Sequence, residues 1–85
     1  MTSVAQEKQR FWLTFGEELC QRPIICELAR SFALTFNIRS AQVTQRTGLV
    51  AIELEGEREV LKQAIQWLEK QGVTVEPVEL STIEG

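Results

Sequence analysis

The segment LTFNIRSAQVTQRTG, from Leu34 to Gly48, is an extended stretch in the middle of the chain. It is rich in β-branched and aromatic residues, which favour strands, and it contains no proline. Arg46 to Gly48 has the composition of a tight hairpin connection. We therefore expect a long strand here that turns back into a second strand, with the other elements arranged on either side.

The apolar residues of this segment change phase along the strand. Phe36 and Ile38 share one parity, whereas the next small or apolar residues, Ala41 and Val43, share the other. Because successive side chains of a strand point to opposite faces, a regular strand could not keep all four toward one core. The sequence therefore predicts a β-bulge near Arg39 to Ser40.

The elements on the C-terminal side follow from periodicity. A strand alternates apolar residues at Val50, Ile52 and Leu54. A helix then carries its apolar stripe at Leu61, Ala64, Ile65 and Leu68. Gly72 is the expected left-handed residue at the end of this helix. Val73 and Val75 begin a last strand, which Pro77 interrupts.

The elements on the N-terminal side are a strand and a helix. Alternation at Phe11, Leu13 and Phe15 predicts a strand that is buried on one face. Pro23 suits the first turn of a helix, since its missing N–H is not needed there. The apolar stripe predicted for this helix is Ile25, Leu28, Ala29 and Phe32.

The order of elements is strand, helix, strand, strand, helix, strand. One-face-buried strands with two amphipathic helices indicate an α+β fold, and the simplest arrangement is ferredoxin-like: a four-stranded antiparallel sheet with both helices on one face. We expect a flexible leader at residues 1–9, one domain at residues 10–80 and a tail at residues 81–85. The first and third strands would lie in the centre of the sheet.

Composition argues against several functional classes. Nine Lys and Arg against twelve Asp and Glu give a net charge of −3, which disfavours nucleic acid as a partner. No apolar run is long enough for membrane insertion, and Met1 to Arg10 lacks an apolar signal region, so we expect a cytoplasmic protein. The sequence has no histidine and no catalytic constellation. We therefore expect neither an enzyme nor a cofactor or metal.

Two pairs of residues are of types that occur in metal or catalytic sites, but their sequence spacing is not typical of such sites. Cys20 and Cys26 lack the CxxC spacing, and we interpret them as packing or incidental cysteines. Glu53 and Glu55 lie on the exposed parity of one strand, without a nucleophile or metal ligand nearby in sequence. We interpret them as surface charge.

The long strand and its asparagine are the strongest candidates for a role. Residues 36–45 would form an edge of the sheet that lacks proline and glycine, and such an edge favours pairing with a partner. We predict a homodimer through this edge. Asn37 offers an amide donor and acceptor inside the strand. It is either a solvated edge residue or part of a site.

Several segments together resemble the NIL domain. These are residues 11–15, 23–25, 36–43, 55–56, 64–68 and 72–76, spread over nearly every element. The family is best known as the C-terminal regulatory domain of methionine-import ABC transporter ATPases, where it is ferredoxin-like, dimerises and binds methionine. The resemblance implies a ligand-binding role for Asn37 in the asparagine-isoleucine motif, with Ile38, Ala41 and Val43 as neighbouring positions.

One residue departs from the family pattern: the third name-giving position is Arg39 instead of leucine. Its cation could bind a carboxylate or could be solvated. With no GxxxxGK[ST] loop and no room for an ATPase domain, we expect a stand-alone NIL module that acts in trans.

The resemblance favours a regulatory module that senses methionine or a related amino acid as a homodimer and acts on a transporter or enzyme. The alternative is an interaction or dimerisation module without a ligand. The protein partner is unknown in either case.

Overall fold

The computed structural model describes residues 6–78, which form one four-stranded sheet and two helices. The elements in chain order are β1 Glu7–Phe15, α1 Ile24–Ser31, β2 Thr35–Val43, β3 Gly48–Gly56, α2 Arg58–Gln71 and β4 Thr74–Pro77, with a short 3₁₀ turn at Leu19–Gln21. The sheet order is β2-β3-β1-β4, and all neighbouring strands are antiparallel. This is the predicted α+β ferredoxin-like fold, with β1 and β3 in the centre.

The core lies between one face of the sheet and the two helices. The alternating apolar residues of β1 and β3 are buried, as predicted: Phe11, Leu13, Phe15, Val50, Ile52 and Leu54. The helices contribute Ile24, Leu28, Leu61, Ala64 and Leu68. Period-two burial in the strands and periodic burial in the helices thus meet in a single core, and within residues 6–78 no helix covers the other face of the sheet.

Helix α1 differs from its predicted stripe. Ile24 and Leu28 are its buried residues, whereas Ala29 is exposed and Ile25 is only partly buried. Phe32 follows the helix as its extended C-cap residue. The predicted stripe is therefore right at Leu28, Ile25 and Phe32, which lie in the core or pack against it, but it wrongly includes Ala29 and omits Ile24. An eight-residue helix has too few repeats for periodicity alone to separate these positions.

Helix α2 ends as the sequence predicts. Gly72 has φ of 103°, in the left-handed region. Its N–H donates to the Glu69 carbonyl at 3.0 Å, and the Val73 N–H donates to the Leu68 carbonyl at 3.0 Å. Val73 and Leu68 are both buried. These two bonds and the apolar contact form a Schellman motif, which directs the chain into β4.

Two predicted boundaries are shifted. Strand β1 begins at Glu7, inside the segment predicted as a leader, and Glu7 pairs in register with Gly56. The Arg58 Nε donates to the Glu7 carboxylate at 2.8 Å and helps to hold this strand end. The hairpin loop is Thr44 to Thr47 rather than Arg46 to Gly48, because Gly48 is already paired in β3.

Other parts of the domain prediction lie outside the described residues: the leader at positions 1–5, the end of the domain at 79–80 and the tail at 81–85. Within residues 6–78, no helix has both the length and the apolar composition needed to cross a membrane.

Candidate functional site

Strand β2 is an edge of the sheet, and it carries the predicted bulge. Eight of its nine residues pair with β3, and the strand has a neighbour on that side only, as far as the described chain extends. The register runs Ile38 to Ile52 and then Ser40 to Ala51, so Arg39 is the extra residue on β2. The bulge is therefore confirmed at the predicted place.

The bulge determines which residues of β2 face the helices. Residues directly opposite each other in an antiparallel pair share a face. Phe36, Ile38, Ala41 and Val43 oppose Leu54, Ile52, Val50 and Gly48, which lie on the core face of β3. Without an extra residue, the last two would face away from the helices.

The apolar side chains of β2 are poorly covered by the helices. Ile38 is 46% exposed and Val43 is 64% exposed, although both lie on the helix side of the sheet. The helices pack over the central strands, and β2 lies beyond that cover. An apolar strip is thus left along the open edge of the strand, which is a common feature of interaction surfaces.

Asn37 lies on the opposite face from this strip. It pairs in register with Glu53 and is exposed. It borders a shallow depression together with Lys8, Glu53 and Glu55. The Glu53 carboxylate accepts a hydrogen bond from the Arg10 Nε at 3.1 Å. The surroundings of the Asn37 amide are therefore polar and charged.

The five predicted site residues share a strand but not a pocket. Asn37 is on the open face, Ile38, Ala41 and Val43 are on the helix face, and Arg39 is at the bulge. A ligand that touches both the amide and the apolar residues has to lie beside the edge, in the plane of the sheet. There it would also meet the outward N–H and C=O groups of β2.

A second concave feature adjoins the end of β2. It is a cleft of about 180 Å³ between the β1–α1 connection, the start of α1 and the β2–β3 hairpin. Its lining is mainly apolar and includes Leu19, Ile25 and Val43, together with the two cysteines and Arg22. Of these residues, the site prediction included only Val43. The nearest sequence signal was the pair of cysteines that flank the cleft.

Both cysteines are free thiols. Cys20 is partly buried, and its Sγ lies 3.7 Å from the Phe15 carbonyl oxygen, whereas Cys26 is exposed. Within residues 6–78, no three His, Cys, Asp or Glu side chains come together as a group that could hold a metal ion.

Comparison with known proteins gives a consistent result. A family model described as the NIL domain matches residues 9–77. A methionine import ATP-binding protein MetN from Cupriavidus pinatubonensis is 34% identical over 71 residues, covering 79% of this chain and 21% of that protein. A protein of the same description from Geobacillus kaustophilus is 30% identical over 70 residues, covering 78% of this chain and 20% of that protein. This chain thus spans about a fifth of the length of these relatives.

A solved structure has the same fold. The crystal structure of the C-terminal domain of an ABC transporter ATP-binding protein from Enterococcus faecalis superposes with a TM-score of 0.73 at 25% identity. The superposition covers 86% of each chain. The similarity therefore extends over the sheet and both helices rather than over one motif.

Proposed function

Because this chain belongs to the NIL domain family, we propose that it is a regulatory binding module without catalytic activity. It senses methionine or a related amino acid as a homodimer in the cytoplasm. Its occupancy is transmitted to a transporter or an enzyme through a protein partner. Relatives described as methionine import ATP-binding proteins support the transport context and the ligand class.

The observation that carries this proposal is the uncovered apolar strip on the β2 edge. Ile38 and Val43 are about half exposed or more on a strand whose outer backbone groups have no neighbouring strand among the described residues. A small domain seldom leaves such an edge open unless something pairs with it. A second copy of the chain supplies both a strand and an apolar strip.

The bulge supports a symmetric pairing. An antiparallel two-fold pairing centred between Arg39 and Ser40 uses almost the whole strand. Phe36 of one copy then opposes Val43 of the other, and Ile38 opposes Ala41, so core-facing residues meet core-facing residues. The helix-side apolar strips of the two copies then become continuous across the junction of the two β2 strands, which we call the seam.

The seam has the chemistry for an amino acid. The Asn37 amide has a donor for a carboxylate and an acceptor for an ammonium, and the Arg39 guanidinium adds a cation for the carboxylate. Ile38, Ala41 and Val43 offer dry contact to an aliphatic or thioether tail. The polar Asn37 amide therefore lies on the open face of the β2 edge, and the apolar side chains lie on its helix face.

A second candidate function is an interaction or dimerisation module without a ligand. The exposed position of Asn37 among charged side chains favours it, because a solvated amide gains little from binding a further polar group. The edge would then bind only a partner chain.

Calorimetric titration with methionine separates the two functions. We expect saturable binding by the wild type and at least about tenfold weaker binding at the edge in Asn37→Ala, the loss typical of a hydrogen bond to a charged group. Thr35→Ala is the matched control, since Thr35 is exposed two residues away on the same strand face. Absence of heat with every sulfur amino acid tested would favour the interaction module.

Sedimentation at micromolar concentration tests the dimer. We expect a dimer for the wild type and a monomer for Val43→Lys, because the new charge would be desolvated at the seam. Leu49→Lys is the control, since Leu49 is an exposed apolar residue of β3 on the other face of the sheet. A wild type that stays monomeric throughout this concentration range would disprove the edge pairing.

A further inference from the structure

We infer that the cleft beside Val43 is a second amino-acid site, complete within one protomer, which shares Val43 but not Asn37 with the seam along the β2 edge. It would take a zwitterionic amino acid with an aliphatic or thioether side chain. The inference depends on three observations: the cleft's distance from Asn37, an ion pair formed by Arg22 in its lining and its apolar interior.

The distance separates the two sites. Asn37 and Val43 are six residues apart on one strand, which corresponds to about 20 Å at about 3.3 Å per residue. Their side chains also lie on opposite faces of the sheet. A free amino acid is much shorter than this span, so within one protomer it cannot contact the Asn37 amide and fill the cleft.

Arg22 in the lining of the cleft forms an ion pair with Glu27, which lies next to the lining, and the two charges together complement a zwitterion. Arg22 lines the cleft, and its Nη2 donates to the Glu27 carboxylate at 2.9 Å and to the Gln71 side-chain oxygen at 3.1 Å. Both members of the pair remain accessible, with side-chain exposures of 44% and 38%. The guanidinium can bind the ligand's carboxylate, and the Glu27 carboxylate can bind its ammonium.

The interior of the cleft selects the side chain of the ligand. Leu19, Ile25 and Val43 give it apolar walls, and the Cys20 and Cys26 sulfurs add polarisable contacts. Its volume of about 180 Å³ is enough for a short unbranched chain. An acidic or basic side chain would be desolvated there without a partner.

The exposed thiol of Cys26 provides a direct measurement of occupancy. In a Cys20→Ala background, we expect methionine to slow the alkylation of Cys26 by iodoacetamide. Norleucine, which has the same length without the sulfur, should protect as well, whereas aspartate should not. An alkylation rate that saturating methionine leaves unchanged would overturn the inference.

Calorimetry then assigns the binding to the cleft. We expect about two methionine molecules per protomer for the wild type if both sites are occupied. Asn37→Ala should leave the cleft site intact, and Arg22→Gln should weaken the cleft site at least about tenfold, the loss expected for a charged hydrogen bond. Cys26→Trp fills the cleft from an exposed position of α1, so we expect it to fold and to abolish the second site.

The outcomes distinguish the two proposals. Binding that Asn37→Ala abolishes, and that Arg22→Gln and Cys26→Trp leave unchanged, would overturn the cleft site while the proposed function stands. Binding that survives Asn37→Ala but is lost in both cleft variants would support the cleft. A wild type that shows neither heat nor thiol protection would contradict both.

Discussion

Deleting Arg39 tests the register of the sheet more directly than any substitution. In the structure, Ile38 opposes Ile52 and the next paired residue, Ser40, opposes Ala51. A chain without Arg39 can therefore form the same pairs with a regular strand. We expect this deletion to stay within about 1 kcal/mol of the wild type, since no core contact depends on the extra residue.

Deleting Asn37 is the matched control, because it shortens β2 by the same amount. With the pairing of Ser40 kept, Arg39 would then oppose Ile52 on the core face, and Ile38 would move to the open face opposite Glu53. Ile38 is 46% exposed, so the move exposes the buried remainder, a little over half of the side chain; this costs about 1 kcal/mol, given about 1.5–3 kcal/mol for a fully buried side chain. Partial desolvation of Arg39 adds to this.

We therefore expect the Asn37 deletion to cost about 1–2 kcal/mol more than the Arg39 deletion. Urea unfolding followed by the fluorescence of Trp12 and Trp67 measures the difference, with equal m-values as the check on two-state behaviour. Arg39→Ala keeps the chain length and should stay within about 0.5 kcal/mol of the wild type. Equal losses for the two deletions, or a larger loss for the Arg39 deletion, would show that the extra residue is not at position 39.

Three further predictions concern stability. Gly72→Ala should lower the free energy of unfolding by about 1–2 kcal/mol, because a Cβ disfavours its φ of 103°; Gly72→Asn should cost less, and equal costs would contradict the left-handed cap. The edge-to-face pair of Phe32 and Trp67, with ring centroids 6.0 Å apart, should give a coupling of about 0.5–1.5 kcal/mol in a double-mutant cycle by urea unfolding. Arg10→Ala should lower the free energy of unfolding by less than about 1 kcal/mol in thermal unfolding, since its ion pair with Glu53 is partly exposed. A larger loss would indicate that the pair belongs to a network of charged side chains.

The sheet was predictable because its signals are local. Alternation at Val50, Ile52 and Leu54 identifies a strand buried on one face, and the change of phase after Ile38 requires a bulge. Gly72 likewise shows its role within a few residues of sequence. Each of these signals follows from backbone geometry over one or two turns or pleats.

Helix α1 was less predictable because a short helix gives few repeats. Over eight residues, the stripes beginning at Ile24 and at Ile25 are nearly equivalent patterns, and only the packing over the sheet decides between them. Ala29 is small enough to fit either a buried or an exposed position. Its exposure is therefore a tertiary outcome, which periodicity alone does not determine.

The candidate sites show the same limit more strongly. Asn37 and Ile38 are neighbours in sequence, but the pleat places them on opposite faces. The cleft brings Leu19 and Ile25 together with Val43, residues that are separated by an entire helix and strand. Local pattern could identify the edge strand, whereas a concave site built from distant segments requires the fold.

The two edges of the sheet are unequal, and this limits how far the chain can assemble. Strand β2 offers nine residues for pairing, whereas β4 has four and ends at Pro77, which has no N–H to donate. In the proposed dimer, where two copies pair through β2, the outer borders of the combined sheet would both be the β4 strands of the described chain. Growth by strand addition would then end at two copies, and the same asymmetry would oppose extension into a fibril.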